Sequence, residues 1–103
     1  MAYYMLQGKT VVSTTNVVEW GAWLSSADRR IAVSDVGPLR VSTIFLSGAE
    51  AFEDPPHLFE TMIFDREVNS FVEHYCERCS TYKEAEEQHV QAVNIARIAA
   101  DGL

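Results

Sequence analysis

The stretch Cys76-Glu77-Arg78-Cys79 has the spacing at which two thiols hold zinc or exchange with a disulfide, and His74 and His89 are the nearest candidate imidazole ligands. The surroundings argue against both chemistries. A structural zinc site takes a second ligand pair at defined spacing, which His74 and His89 do not form with each other. A redox pair sits at a helix N-terminus in electropositive surroundings, whereas here the carboxylate of Glu77 lies between the thiols. Cys76 and Cys79 are therefore read as ordinary packed or partly exposed cysteines, and no metal or cofactor is assigned.

Two further residues could carry acid or base chemistry. His89 falls on the apolar stripe of the last helix, as a core histidine whose ring nitrogens find partners or as a base set beneath a sheet; the first reading is preferred. Glu60 lies within a strand that otherwise looks buried. It fits a solvated or arginine-paired sheet face, with Arg29, Arg30 or Arg40 as partner, or an acid in a cleft. Ser42, Thr43 and Thr61 are also polar residues in apolar strands, so they must hydrogen-bond one another, neighbouring strands or solvent. Glycine-rich phosphate loops, G-x-S-x-G and H-E-x-x-H are missing, so no catalytic residue is assigned.

These residues need elements to position them. "YYML" and "TVV" flank Gln7-Gly8-Lys9 as a hairpin. Asn16 with Glu19 fits a capping box that opens an amphipathic helix over Val17 to Arg29, with Val17, Trp20, Leu24 and Ala27 as its stripe and Trp23 flanking it. Gly21 on that stripe is expected to allow close approach to a neighbouring backbone. Gly37-Pro38 separates strands Ile31 to Val36 and Leu39 to Leu46, and Leu58 to Phe64 forms another. Residues 65–79 read as a loop, a helical turn or an edge strand. Ser80 or Thr81 then caps a helix whose stripe is Tyr82, Ala85, His89, Ala92, Val93 and Ala96. The order implies one α+β domain over residues 1–103, a mostly antiparallel sheet with two amphipathic helices packed on one face.

The chain has 103 residues, 48% of them hydrophobic, enough apolar surface for a single core. No run reaches the length of a membrane span and the start MAYYMLQGK lacks the features of a signal peptide, so a soluble, cytoplasmic protein is expected. The formal net charge is −7, and the acids concentrate after Glu50, where they heavily outnumber Arg66, Arg78, Lys83 and Arg97. That balance disfavours direct nucleic-acid binding and suits a basic protein partner or plain solubility. The acidic loop joining "VSTIFL" to "LFETMIF", with Phe52 near Glu50, Glu53 and Asp54, is a candidate contact surface. Ile95 and Ile98, on the polar side of the last helix, raise the further alternative of a homo-oligomer.

Taken together, "WGAWLSSADRRIAVSDVGPLRVSTIFL", "PPHLFETMIF" and "CSTYKEAEEQH" resemble an uncharacterised small-protein family of bacteriophages and prophages, over about Trp20 to His89. The resemblance implies a phage or prophage origin and the host cytoplasm, and supplies no catalytic residue. The family loop after the VST strand tends to carry an Asp-His pair and several glycines, where this chain reads Ser47-Gly48-Ala49-Glu50-Ala51-Phe52-Glu53-Asp54. Lys83 stands where the family usually has Glu, and the CxxC is not part of its pattern. The expectation is a non-enzymatic accessory factor that binds a protein, such as a basic host factor, in a host-modulating or anti-defence role. The alternatives are a small enzyme or ligand-binding domain with a cleft around Glu60 and His89, and a homo-oligomeric structural protein.

Overall fold

A computed structural model describes residues 2–47, 56–67 and 70–101, with the side chains of 70–74 left aside. The chain begins with an antiparallel hairpin, β1 (Tyr3–Gln7) and β2 (Thr10–Thr14), turned at Gly8 with φ +62°, a conformation glycine adopts without a Cβ penalty. Helix α1 (Val17–Ser26) follows. Asn16 Oδ1 accepts from the backbone N–H of Val18 and Glu19 at 3.0 and 3.2 Å. The expected reciprocal box is altered: the Asn16 N–H donates to Thr14 Oγ1, whose hydroxyl in turn donates to Glu19. The helix ends short of Arg29, because Asp28 Oδ1 accepts from the Arg30 N–H and turns the chain into the next strand.

Four strands form the main sheet in the order β3 (Arg30–Val36), β4 (Leu39–Phe45), β5 (Phe59–Asp65), β6 (Ser70–Cys79), each antiparallel to its neighbour. The segment left open by periodicity is thus an edge strand of ten residues. Helix α2 (Tyr82–Asp101) closes the fold, capped by Thr81, whose Oγ1 accepts from the Glu84 N–H at 3.1 Å while its hydroxyl donates to the Glu84 carboxylate at 2.9 Å.

Period-2 alternation decides which residues meet α2. Val41, Thr43 and Phe45 of β4 face Ile63, Thr61 and Phe59 of β5 in register, and all six are fully buried. Against them α2 sets His89 and the small residues Ala85, Ala92 and Ala96, which bring the helix close to the sheet. Leu39, Val41 and Ile63 pack with Ala92 and Ala96 at one end. Phe45, Leu58, Phe59, Cys79 and Ala85 form a second cluster at the other, joined by Tyr4, Leu6, Val11 and Trp23 from the hairpin and α1. Burying each large aliphatic or aromatic side chain contributes roughly 1.5–3 kcal/mol. Both helices and the hairpin therefore lie over one side of the main sheet, as an α+β fold, and the molecule extends 48 Å along its long axis.

The stripe of α1 is half-buried as expected at Trp20, Leu24 and Ala27 with Trp23 beside it, and two details differ, at Val17 and at Gly21. Its contact runs through Trp20, stacked on Tyr3 at 5.0 Å, and Trp23, edge-on to Phe45 at 5.7 Å, because the indoles reach furthest; Val17 stays 52% exposed. Gly21 meets no close neighbour, since a Cβ there would find nothing within 4 Å.

Candidate functional site

Four polar side chains on the covered side, Thr61, Thr43, His89 and Ser34, form one chain. Thr43 and Thr61 are register partners on the central strands, where β-branched residues suit the pleat, and their Oγ1 atoms lie 2.7 Å apart. His89 descends from α2 between them and β3. Its Nδ1 is 2.8 Å from Thr43 Oγ1 and its Nε2 is 2.8 Å from Ser34 Oγ. A neutral imidazole donates through one nitrogen and accepts through the other, and rotating hydroxyls on both sides satisfy either tautomer. Burial holds the His89 pKa below the ordinary imidazole value, so the ring is neutral near pH 7.

A serine hydroxyl against an imidazole nitrogen is also the geometry of an activated nucleophile, with Thr43 in the orienting position. His89 is only 7% exposed beneath α2, whereas Ser34 on the edge strand β3 is half-buried; surface recesses of about 360, 230 and 230 Å³ are lined by other residues.

Glu60 belongs to the opposite side of the sheet. It lies between Phe59 and Thr61, which face α2, so the pleat turns its carboxylate away from His89. The expected cleft around Glu60 and His89 does not form, because the sheet separates them. Nor is Arg29, Arg30 or Arg40 the partner of Glu60: register sets Arg78 of β6 opposite it, with Arg78 Nε donating to Glu60 Oε2 at 2.8 Å. Arg29 instead donates to Ser47 Oγ, Arg30 lies by Asp28, and Arg40 makes two hydrogen bonds to Asp35.

The same pleat separates the thiols. Cys79 pairs with Phe59 and is buried on the α2 side, whereas Cys76 pairs with Met62 and is exposed on the other. Residues three apart in a strand are roughly 10 Å apart and point to opposite sides, so this CxxC cannot close on one ion or one disulfide. Burial, then the charge of Glu84, pushes the Cys79 thiol up to about 11. Burial, then the charge and hydrogen bond of Glu60, raises Cys76. Both thiols therefore stay protonated at neutral pH. The side chain of His74 and the loop with Glu50, Phe52, Glu53 and Asp54 lie outside the described residues.

Two surface regions remain. At the Gly37-Pro38 turn, Arg40, Phe64, Asp65 and Arg66 line the recess of about 360 Å³. Its guanidiniums are already engaged: Arg40 by Asp35, and Arg66 by the Gly37 carbonyl and, at 3.7 Å, by Asp35. Along β6 and the start of α2 the surface is acidic, with Glu77, Glu84 and Glu87 exposed. Burial and the charge of Glu77 raise the Tyr75 hydroxyl pKa, as Glu84 helps raise that of Cys79, so the local field is negative.

Ser34 was missed in sequence, although it alternates with the apolar Ala32 and Val36 and so interrupts one strand face. Asp35 with Arg40 was also legible, since the two lie symmetrically about the Gly37-Pro38 turn. Among the described residues no helix is long and apolar enough to cross a membrane. Comparison with protein families, curated proteins and solved structures finds no match for the chain.

Proposed function

We propose that the protein is a non-enzymatic accessory factor of phage or prophage origin that works in the host cytoplasm by binding a basic protein. The observation that carries this reading is the placement of His89. Both its ring nitrogens are held by hydroxyls under α2, on the opposite side of the sheet from Glu60, so these two groups do not converge on a substrate. The acidic surface along β6 and α2, in a chain of net charge −7, supplies complementarity for a basic partner and repels nucleic-acid phosphates.

The test is capture from host lysate on the immobilised protein at low and high salt, followed by titration of the recovered protein in purified form. The expected result is one basic protein, released by salt, whose affinity drops several-fold in the double variant Glu77→Gln/Glu84→Gln. Glutamine preserves the helix cap at position 84, so loss of binding would not reflect a damaged α2. Recovery of nothing, or a partner indifferent to both salt and the substitutions, would sink the proposal.

A further inference from the structure

The outer face of α2 carries hydrophobic side chains that the fold does not use. Val90 is 60% and Ile98 75% exposed, on the side of the helix away from Ala85, His89, Ala92 and Ala96. Val90 lies on a stripe of regular spacing, which Ile98 flanks: Lys83, Glu87, Val90, Asn94, Arg97 and Asp101 recur at steps of four, three, four, three and four, the spacing of a heptad, and all six are exposed. That spacing reads the same from either end.

Along the stripe the charges run plus, minus, neutral, neutral, plus, minus. Reversed, every charge meets its opposite. Lys83 falls against Asp101, Glu87 against Arg97, and Val90 against Asn94 when a second α2 is laid antiparallel about a two-fold axis at the level of Ala92. A parallel arrangement would set like against like at all four charged positions. Among the described residues no ion pair engages Lys83, Glu87, Arg97 or Asp101.

We propose that α2 is the interface of a homodimer, pairing antiparallel with α2 of a second copy through this self-complementary stripe. Val90 within the stripe and Ile98 beside it supply the apolar area, and the four symmetry-related ion pairs fix direction and register. A single helix pair buries less than a standard interface, so the dimer is weak, with a dissociation constant of roughly 10–1000 µM. Glu77 and Glu84, off this stripe, stay available to the partner proposed above, so the two ideas stand or fall separately.

Sedimentation equilibrium across concentration tests it. The expected result is a reversible dimer that Ile98→Asp abolishes. Arg97→Glu alone and Glu87→Arg alone should each weaken it about tenfold, since either change creates two like-charge contacts. Combined in one chain they should restore it, because antiparallel pairing sets position 87 against position 97. A strict monomer at 1 mM overturns the proposal. So does a dimer that ignores Arg97→Glu, or one that the double exchange fails to rescue, which would place another surface or a parallel pairing at the interface.

Discussion

Across the same central strands, Thr43 and Thr61 point toward α2 while Arg40, Ser42 and Glu60 point away, and the two sides satisfy polar groups differently. Under the helix the groups are uncharged, lie 2.7–2.8 Å from their partners, and are linked from the buried Thr61, Thr43 and His89 to Ser34, half-buried on the edge strand. On the other side they are ionic pairs, Arg78 with Glu60 and Arg40 with Asp35, with 37% and 47% of the arginine side chains exposed. Water explains the difference. Where it is excluded, a lost partner leaves a group unsatisfied, so neutral groups in a closed chain are the economical solution. Where it reaches, a charge can leave its partner and hydrate.

The largest test of that contrast is His89→Ala. It opens a cavity under α2 and leaves Ser34 and Thr43 short of a partner, so denaturant unfolding should show a loss of about 2–4 kcal/mol. pH sharpens the point. The pKa of folded His89 lies below the ordinary 6.5, so as pH falls below 6.5 the unfolded chain binds the proton first and stability declines. Above 6.5 both states are neutral and the contribution levels off. His89→Gln should flatten this part of the stability profile, and a profile unchanged by that substitution would mean the ring does not titrate as the burial requires.

Glu60→Ala is the intermediate case. Its carboxylate is almost enclosed, with 11% of the side chain exposed, but the partner Arg78 can turn to solvent. The expected loss is about 1–2 kcal/mol. A loss as large as that of His89→Ala would break the contrast, since it would mean that water does not compensate for the lost carboxylate on the open side.

The same contrast marks what the sequence could disclose. The stripe of α2 and the alternation of β4 and β5 were readable because each buries one regular face, and the position of His89 on that stripe identified it as a core residue. The partners were harder. Ser34 and Arg78 join His89 and Glu60 only through strand register, which periodicity does not fix, and Arg78 lies in a segment whose mixed polarity suited a loop as well as an edge strand. Cys76 and Cys79 were readable as ordinary thiols from the neighbouring carboxylate of Glu77, but not from geometry. CxxC brings two thiols together on a turn or helix, and only the strand assignment of β6 shows them pointing apart.

The smallest effect is expected at Asp35 and Arg40, where geometry and energy diverge most. Arg40 makes two hydrogen bonds to Asp35, at 2.8 and 3.2 Å, the best-formed ion pair on the surface described, yet both side chains are nearly half exposed. The Arg40 hydrogen bond, followed by its charge, holds the Asp35 carboxyl below the ordinary 3.8. A depressed carboxylate pKa adds stability above 3.8 that is lost as pH falls through the folded value, where the unfolded chain is already protonated and the folded one follows. Arg40→Ala should therefore lower the unfolding midpoint at pH 7 by far less than His89→Ala or Glu60→Ala, at the limit of detection. The difference should shrink in 1 M salt, which weakens ion pairs between exposed side chains, and fade below pH 3.8. A deficit that survives both treatments would mean that Arg40 acts through the packing of its aliphatic stem beside Phe64, and the open side would then owe its order to apolar contact, as the covered side does.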